Sequence, residues 1–316
     1  MKVLANDGLS PGGIKALQTA GFEVDTTTVS QERLSEYINK NGITVLLVRS
    51  ATKVTKDILD HCPTLKVIGR GGVGMDNIEV DLALKKGLKV INAPSASAAA
   101  VAELVFAHLY GGSRFLHDAN RNMPLEGDSK FKSLKKSYSN GMELRGKTLG
   151  IIGFGRIGQE TAKLALGIGM KVIYNDLHIQ EKELSVQFYD GQELQFTLKN
   201  QSLTNLLAAS DFISLHVPAQ KAYVIGAKEF AQMKDGVGIV NTARGSVLDE
   251  VALVDALDNG KVSFAGLDVF EKEPEPEIRI LMHPKISLTP HIGAGTWEAQ
   301  ERIGISLASQ IIDLYK

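Results

Sequence analysis

The segment Gly153-Phe154-Gly155-Arg156-Ile157-Gly158 constrains the fold of this chain more than any other. It is G-x-G-x-x-G, a weak pattern alone, since the chain holds 31 glycines. Its surroundings decide the matter. The apolar run Thr148–Ile152 precedes it with strand character, and Gln159–Ala165 follows with helical character. The next strand-like run, Lys171–Tyr174, leads to Asp176, roughly twenty residues past the last glycine. That order binds a dinucleotide: Gly153 permits a tight turn, Gly155 lets backbone approach a pyrophosphate, and Gly158 lets helix and strand pack closely. The helix start adds unpaired N–H groups and partial positive charge. A carboxylate at 176 accepts ribose hydroxyls and repels a 2′-phosphate. Leu177 and His178 follow it with no Arg or Lys between, so the expected cofactor is NAD.

Short apolar, β-branched runs recur along the whole chain, at Val3–Ala5, Thr44–Val48, Lys66–Ile68 and Lys89–Ile91, then at Phe212–His216, Val237–Asn241, Ser263–Leu267 and Ile286–Thr289. Stretches with helical spacing lie between them, such as Pro11–Ala20, Gln31–Asn39 and Lys56–His61. This alternation predicts an α/β chain with mainly parallel sheets. It breaks once. Ser95–Ala100 and Val101–His117 read as one longer helix, and the lysine-rich Met123–Asn140 reads as loop. The expected architecture is two doubly wound parallel-sheet domains joined by a hinge. A flavodoxin-like substrate domain takes 1–97 plus 292–316, and a Rossmann-type cofactor domain takes 98–291. The last segment, Trp297–Tyr315, is a helix by the spacing of Ile303, Leu307, Ile311 and Leu314, and is expected to pack on the N-terminal unit.

Composition narrows the function. With 35 Lys+Arg against 36 Asp+Glu, the chain lacks the basic excess that nucleic acid or anionic membranes require. One cysteine, Cys62, rules out an internal disulfide framework and a cysteine-cluster zinc site. No charge-free stretch reaches the ~18–20 apolar residues of a spanning helix, and Asp7 interrupts the start before a signal-peptide core can form. A cytoplasmic location is expected.

Three polar residues follow strand-like runs, where ligands of doubly wound sheets bind. Arg244 lies after Val237–Val240, Glu273 in a Pro-punctuated loop after Ser263–Leu267, and His291 after Ile286–Leu288. An Arg fork suits a carboxylate or carbonyl oxygen. A His can take a hydroxyl proton, with a Glu fixing its tautomer. From spacing alone, Glu271 or Glu275 would serve as well as Glu273, and each of the three could be an ordinary surface or structural residue. The other histidines show no ligand spacing such as H-x-x-x-H, so no metal is expected.

Taken in order, Gly153–Gly158 with Asp176, Asn241-Thr242-Ala243-Arg244-Gly245, Gly266-Leu267-Asp268-Val269-Phe270 with Glu273-Pro274, and Pro290-His291-Ile292-Gly293 resemble the NAD-dependent D-2-hydroxyacid dehydrogenases. The N-terminal motifs Val48–Thr55, Gly69–Asn77 and Ala102–Leu104 look most like the phosphoglycerate branch of that family. The resemblance implies that Arg244 holds the substrate carboxylate and keto oxygen, that His291 is the general acid/base, and that Glu273 is its partner. It implies that Phe154 to Ile157, His216, Val217, Pro218, Thr242, Ala243 and Asp268 line the NAD site, with Gly293 and His291 near the nicotinamide. Backbone N–H groups at Gly72, Val73 and Gly74 would bind the carboxylate. Arg49 and Ser50 would face the far end of the substrate, with Lys132, Lys135 or Lys136 adding charge there from a neighbouring subunit.

The implied reaction is oxidation of D-3-phosphoglycerate at C2, which feeds serine biosynthesis. Hydroxypyruvate or glyoxylate reduction is the alternative within the family. An NAD-responsive binding protein, similar to transcriptional co-repressors of this fold, is the alternative of another class. The partners expected are a small 2-hydroxy or 2-keto acid and a second copy of the chain in a homodimer. The sequence ends at Lys316, directly after its closing helix. A C-terminal regulatory domain, and inhibition by serine through one, are therefore not expected.

Overall fold

The apolar runs become strands, the central ones covered on both faces, and the helical spacings between them become the covers. The computed structural model describes all 316 residues, Met1–Lys316. They divide into two compact units, Met1–Ala100 with Ala294–Lys316, and Val101–Gly293.

The first unit begins β1 (Lys2–Ala5), α1 (Pro11–Thr19), β2 (Glu23–Asp25), α2 (Leu34–Asn41), β3 (Val45–Val48). It continues α3 (Lys56–His61), β4 (Val67–Arg70), α4 (Val80–Lys85), β5 (Lys89–Asn92) and the first turn of α5 (Ala98–Ser113). All five strands are parallel, in the order β2-β1-β3-β4-β5, which is the flavodoxin-type winding. Val45–Val48 is buried along its length, as a central strand requires. Ser10 caps α1 by accepting the Gly13 N–H, and Pro11 at the first helical position presets the backbone.

The second unit holds the rest of α5, then α6 (Leu116–Glu126), α7 (Phe131–Ser137), β6 (Thr148–Ile152), α8 (Arg156–Gly167), β7 (Lys171–Asn175), β8 (Glu181–Gln187) and β9 (Glu193–Lys199). After these come α9 (Leu203–Ala209), β10 (Phe212–Leu215), α10 (Ala227–Gln232), β11 (Val237–Asn241), α11 (Glu250–Asp258), β12 (Val262–Leu267), α12 (Ile278–Leu281) and β13 (Ile286–Leu288). Its six-stranded sheet is parallel throughout, in the order β13-β12-β11-β10-β6-β7. The strand order reverses between β6 and β10, so the crevice at their carboxyl ends is the expected ligand position. The closing helix, α13 (Trp297–Leu314), returns to the first unit and packs on α1. Glycines make this approach possible: a Cβ at Gly13 would lie 2.7 Å from the Gly304 carbonyl carbon.

Three local expectations differ from the structure. The long helix breaks at Phe115, whose φ of 56° ends α5 and starts α6. Met123–Asn140 is not a loop: α6 runs on to Glu126 and α7 occupies Phe131–Ser137. The turn Glu126–Lys130 separates two short helices with no buried residue, whose caps Phe115 and Tyr138 are in ring contact. The antiparallel hairpin β8–β9 was not expected. Its two strands are mostly exposed, so their polar residues mask the period-two pattern.

Candidate active site

The glycine loop owes its shape to what a side chain would meet there. Gly153 has φ 91°, and a Cβ on it would lie 2.5 Å from the His216 carbonyl oxygen on the neighbouring strand end. A Cβ on Gly158 would strike the Gly153 carbonyl. Gly155, by contrast, faces open space within 4 Å. Two glycines thus permit packing, and one leaves a cradle at the N-terminus of the 12-residue α8. No side chain caps that end, so its first N–H groups await an acceptor. Phe154 turns the other way. Its ring is fully buried and stacks on Tyr174 at 3.8 Å, so only its backbone reaches the cradle.

Asp176 stands beside the loop. It accepts the Phe154 N–H at 2.6 Å on one oxygen, and the N–H groups of His178 and Ile179 at 2.8 and 3.0 Å on the other. Burial pushes its carboxyl up, but these three donors outweigh that and hold it below the usual carboxylate range. A carboxylate has about four acceptor positions, so room remains for a hydroxyl donor. Asn200, which sequence reasoning missed, locks Asp176 by exchanging two hydrogen bonds with its backbone.

Two buried polar atoms close to this crevice have no protein partner: Nδ1 of His216 and Oγ1 of Thr242. The His216 Nε2 is bonded to Ser214 Oγ at 2.8 Å, and burial pushes the imidazole down to about 3. A buried orphan is costly unless something else fills it. Open cradle, aimed acid and orphaned polar atoms together fit a polar dinucleotide. Val217 is half-buried and Pro218 exposed after β10, while Ala243 is buried after β11.

The ends of β11, β12 and β13 are tied together beyond their strands. Asp268 N–H donates to Asn241 O, Thr289 N–H to Leu267 O, and His291 N–H to Asp268 O, at 2.8–3.0 Å. The side chain of Asn241 shapes the next turn, accepting from Ala243 N–H and donating to Arg244 O. Arg244 follows in extended conformation, with Nη1 on the Ala243 carbonyl at 2.6 Å. Gly245 lets this turn abut the loop with Glu273, because a Cβ there would strike the Phe270 carbonyl. Glu273 Oε1 accepts Phe270 N–H at 3.0 Å, and Oε2 lies 2.8 Å from His291 Nδ1. Glu271 is occupied elsewhere, exchanging hydrogen bonds with Glu250, so geometry selects Glu273 among the three candidates. Glu273 and His291 share an apolar-walled cavity of about 410 Å³ with Phe270, Leu281 and Leu288. Arg244 is not part of that wall; it lies on the adjoining loop.

His291 has φ 54°, a left-handed conformation that a non-glycine residue holds only when its surroundings enforce it. Asp268 does so. Its backbone oxygen takes the His291 N–H, and its side chain takes the N–H groups of Ile292 and Gly293 at 2.8 and 2.9 Å. Burial raises the Asp268 carboxyl, against the pull of these donors and of Thr289.

In the first unit, Arg49 and Ser50 are exposed after β3. Arg49 lines a cavity of about 460 Å³ with Ser10, Thr296, Trp297, Gln300 and Glu301. The Gly72 N–H is already donated to Arg70 O at 2.9 Å, so it is not open to a ligand, unlike the N–H groups of Val73 and Gly74. Arg70, another residue the sequence reading passed over, lays its guanidinium over Gly72, while the stem of Arg49 lies against Gly71. Lys132, Lys135 and Lys136 are exposed on α7.

Residues 106–293 match the family described as the NAD-binding domain of D-isomer-specific 2-hydroxyacid dehydrogenases. The chain is 45% identical to the hydroxypyruvate reductase of Thermotoga maritima, over 98% of this chain and 97% of that one. It is 42% identical to the D-3-phosphoglycerate dehydrogenase of Methanocaldococcus jannaschii, over 98% of this chain but 57% of that one, little more than half its length. A glyoxylate reductase from Paecilomyes thermophila has a similar structure, with TM-score 0.79 and 31% identity over 98% of this chain and 93% of that one.

Proposed function

Because the chain belongs to the NAD-dependent D-isomer-specific 2-hydroxyacid dehydrogenases, we propose that it oxidises D-3-phosphoglycerate at C2, with His291 as general base. The observation that carries the chemistry is the 2.8 Å bond between His291 Nδ1 and Glu273 Oε2. It fixes the neutral ring with its proton on Nδ1 and leaves Nε2 as acceptor for the substrate hydroxyl. Glu273 then stabilises the imidazolium that forms, and Arg244 anchors the carboxylate and polarises the C2 oxygen as it becomes a carbonyl. The glycine loop and Asp176 would hold NAD by its pyrophosphate and ribose, with Thr242 and His216 offering polar atoms to it. When bound, NAD supplies the hydride acceptor at its nicotinamide ring. A positioned base typically supplies ~10²–10⁴-fold, so positioning must supply much of the remainder.

The phosphorylated substrate is favoured by charge. Arg49 and Arg70 flank the Gly71–Gly72 turn, beside the N–H groups of Val73 and Gly74. Two guanidinium groups and a backbone nest suit a ligand with a carboxylate and a phosphate. Hydroxypyruvate reduction is the second reading, and the full-length likeness to the Thermotoga enzyme favours it. Both readings share one chemistry at C2 and differ at C3. A cytoplasmic enzyme of serine biosynthesis follows from the first; no helix is long and apolar enough to cross a membrane. An NAD-responsive binding protein would show neither activity.

Steady-state rates with 3-phosphoglycerate, 3-phosphohydroxypyruvate, hydroxypyruvate and glyoxylate decide the substrate. Phosphorylated compounds should have the highest kcat/KM, and Arg49→Ala should erode that preference. A clear lead for hydroxypyruvate would replace the first reading by the second. His291→Ala should abolish turnover on every substrate, on the order of 10²-fold or more, while still binding NADH; retained turnover would contradict its role.

Asp176→Ala should weaken NAD and narrow its advantage over NADP, as the two kcat/KM values will report. An unaltered cofactor preference would remove Asp176 from ribose recognition.

We also propose a homodimer formed through α5–α7, where Tyr110, Leu116, Leu125 and Phe131 are exposed together with Lys132, Lys135 and Lys136. Sedimentation equilibrium should return twice the chain mass, and Leu125→Glu should shift it toward one. A monomeric native protein would refute this.

A further inference from the structure

A histidine interrupts the apolar face that α5 turns inward: His108, buried like its helix neighbours Val105, Phe106 and Leu109. A buried imidazole is expensive unless both nitrogens find partners. Both do. Nδ1 lies 2.9 Å from Ser287 Oγ, and Nε2 lies 3.1 Å from Thr289 Oγ1. Those residues stand two apart at the end of β13, on one face of the sheet. Space for the ring comes from β12, where a Cβ on Gly266 would lie 2.5 Å from His108 Cβ.

The direction of each hydrogen bond can be derived. Thr289 Oγ1 donates its one proton to Asp268 Oδ1 at 2.6 Å, and that carboxyl already accepts from Ile292 and Gly293. Thr289 must therefore accept from Nε2–H of His108. Burial, helped by His117, pushes His108 down to about 4. The ring is then neutral near pH 7, so Nδ1 accepts from the Ser287 hydroxyl.

We propose that His108 is a positioning residue for the reaction, the buried anchor of a His108–Thr289–Asp268 chain that fixes the loop carrying His291. The proposal rests on the reading of His291 as the acid/base. Without the His108 donor, the Thr289 hydroxyl loses the partner that orients it. Asp268 then loses an ordered donor, and its hold on the N–H groups of Ile292 and Gly293 slackens. That hold acts with the Asp268 carbonyl on the His291 N–H to keep His291 in its left-handed conformation. A buried histidine that merely filled the core would matter to folding and not to turnover.

His108→Leu keeps the apolar bulk and removes both hydrogen bonds, and His108→Gln keeps a donor and an acceptor. Thr289→Val cuts the same chain next to the loop. Reduction of hydroxypyruvate and of 3-phosphohydroxypyruvate by NADH, NADH binding and the melting temperature are measured for each variant. His108→Leu should lower kcat on the order of tenfold or more, leave NADH affinity unaltered, and be largely rescued by Gln at 108. Thr289→Val should match it, and the double variant should fall no further than either single change, since all cut one chain.

An unaltered kcat in His108→Leu, whatever its melting temperature, would overturn the proposal. So would a loss of kcat that Gln does not repair and that Thr289→Val adds to. Should His108→Leu fail to fold, Thr289→Val alone decides, by the split between kcat and NADH affinity. Turnover that survived His291→Ala would instead remove the reading beneath the proposal. Turnover lost in His291→Ala but untouched at 108 and 289 would remove the anchor alone.

Discussion

Asp268, directly after β12, bonds to the ends of β11 and β13 at once, and the carboxyl edge of the second sheet depends on it. Its N–H reaches back to β11 through Asn241, its carbonyl takes the His291 N–H, and its carboxylate takes Thr289, Ile292 and Gly293. Parallel strands normally fray into loops at their carboxyl ends, where backbone groups go to water. Here the ladder is continued by one residue, fully buried, whose carboxylate replaces the missing strand. Loops bearing Arg244, Glu273 and His291 therefore leave the sheet from fixed points. Positioned groups raise rates only if they stay positioned, and a displacement of about 1 Å can cost ~10²-fold.

The parallel sheets and the glycine loop were legible in the sequence because each rests on local spacing. The strand–loop–helix–strand–acid order needs only neighbours in the chain. Glu273 was different: spacing left it level with Glu271 and Glu275, and only the family resemblance singled it out, because the physical choice is not local. It turns on the reciprocal bonds that occupy Glu271 with Glu250, a contact between segments far apart in sequence. His108 was invisible for the same reason. On a helix, one histidine among apolar residues reads as core, and nothing local says that Ser287 and Thr289 lie opposite. The one signal was Gly266 inside a strand, a sign of close approach by another element. Phe154 shows the converse: its place in the motif pointed to the cofactor, while its ring packs on Tyr174 beneath the loop.

The proposed chemistry and the proposed selectivity draw on different segments of the chain. The His291–Glu273 pair and the glycine loop belong to residues 101–293. Arg49, Arg70 and the Val73–Gly74 amides belong to the first unit.

The most direct test is the single-turnover rate of NADH oxidation in Asp268→Asn, a variant that keeps the volume and removes the carboxylate. With a native circular dichroism spectrum, it should lose on the order of 10²-fold because the loop with His291 is no longer held. A rate equal to that of the native protein would show that this loop holds His291 without Asp268, and would contradict the account.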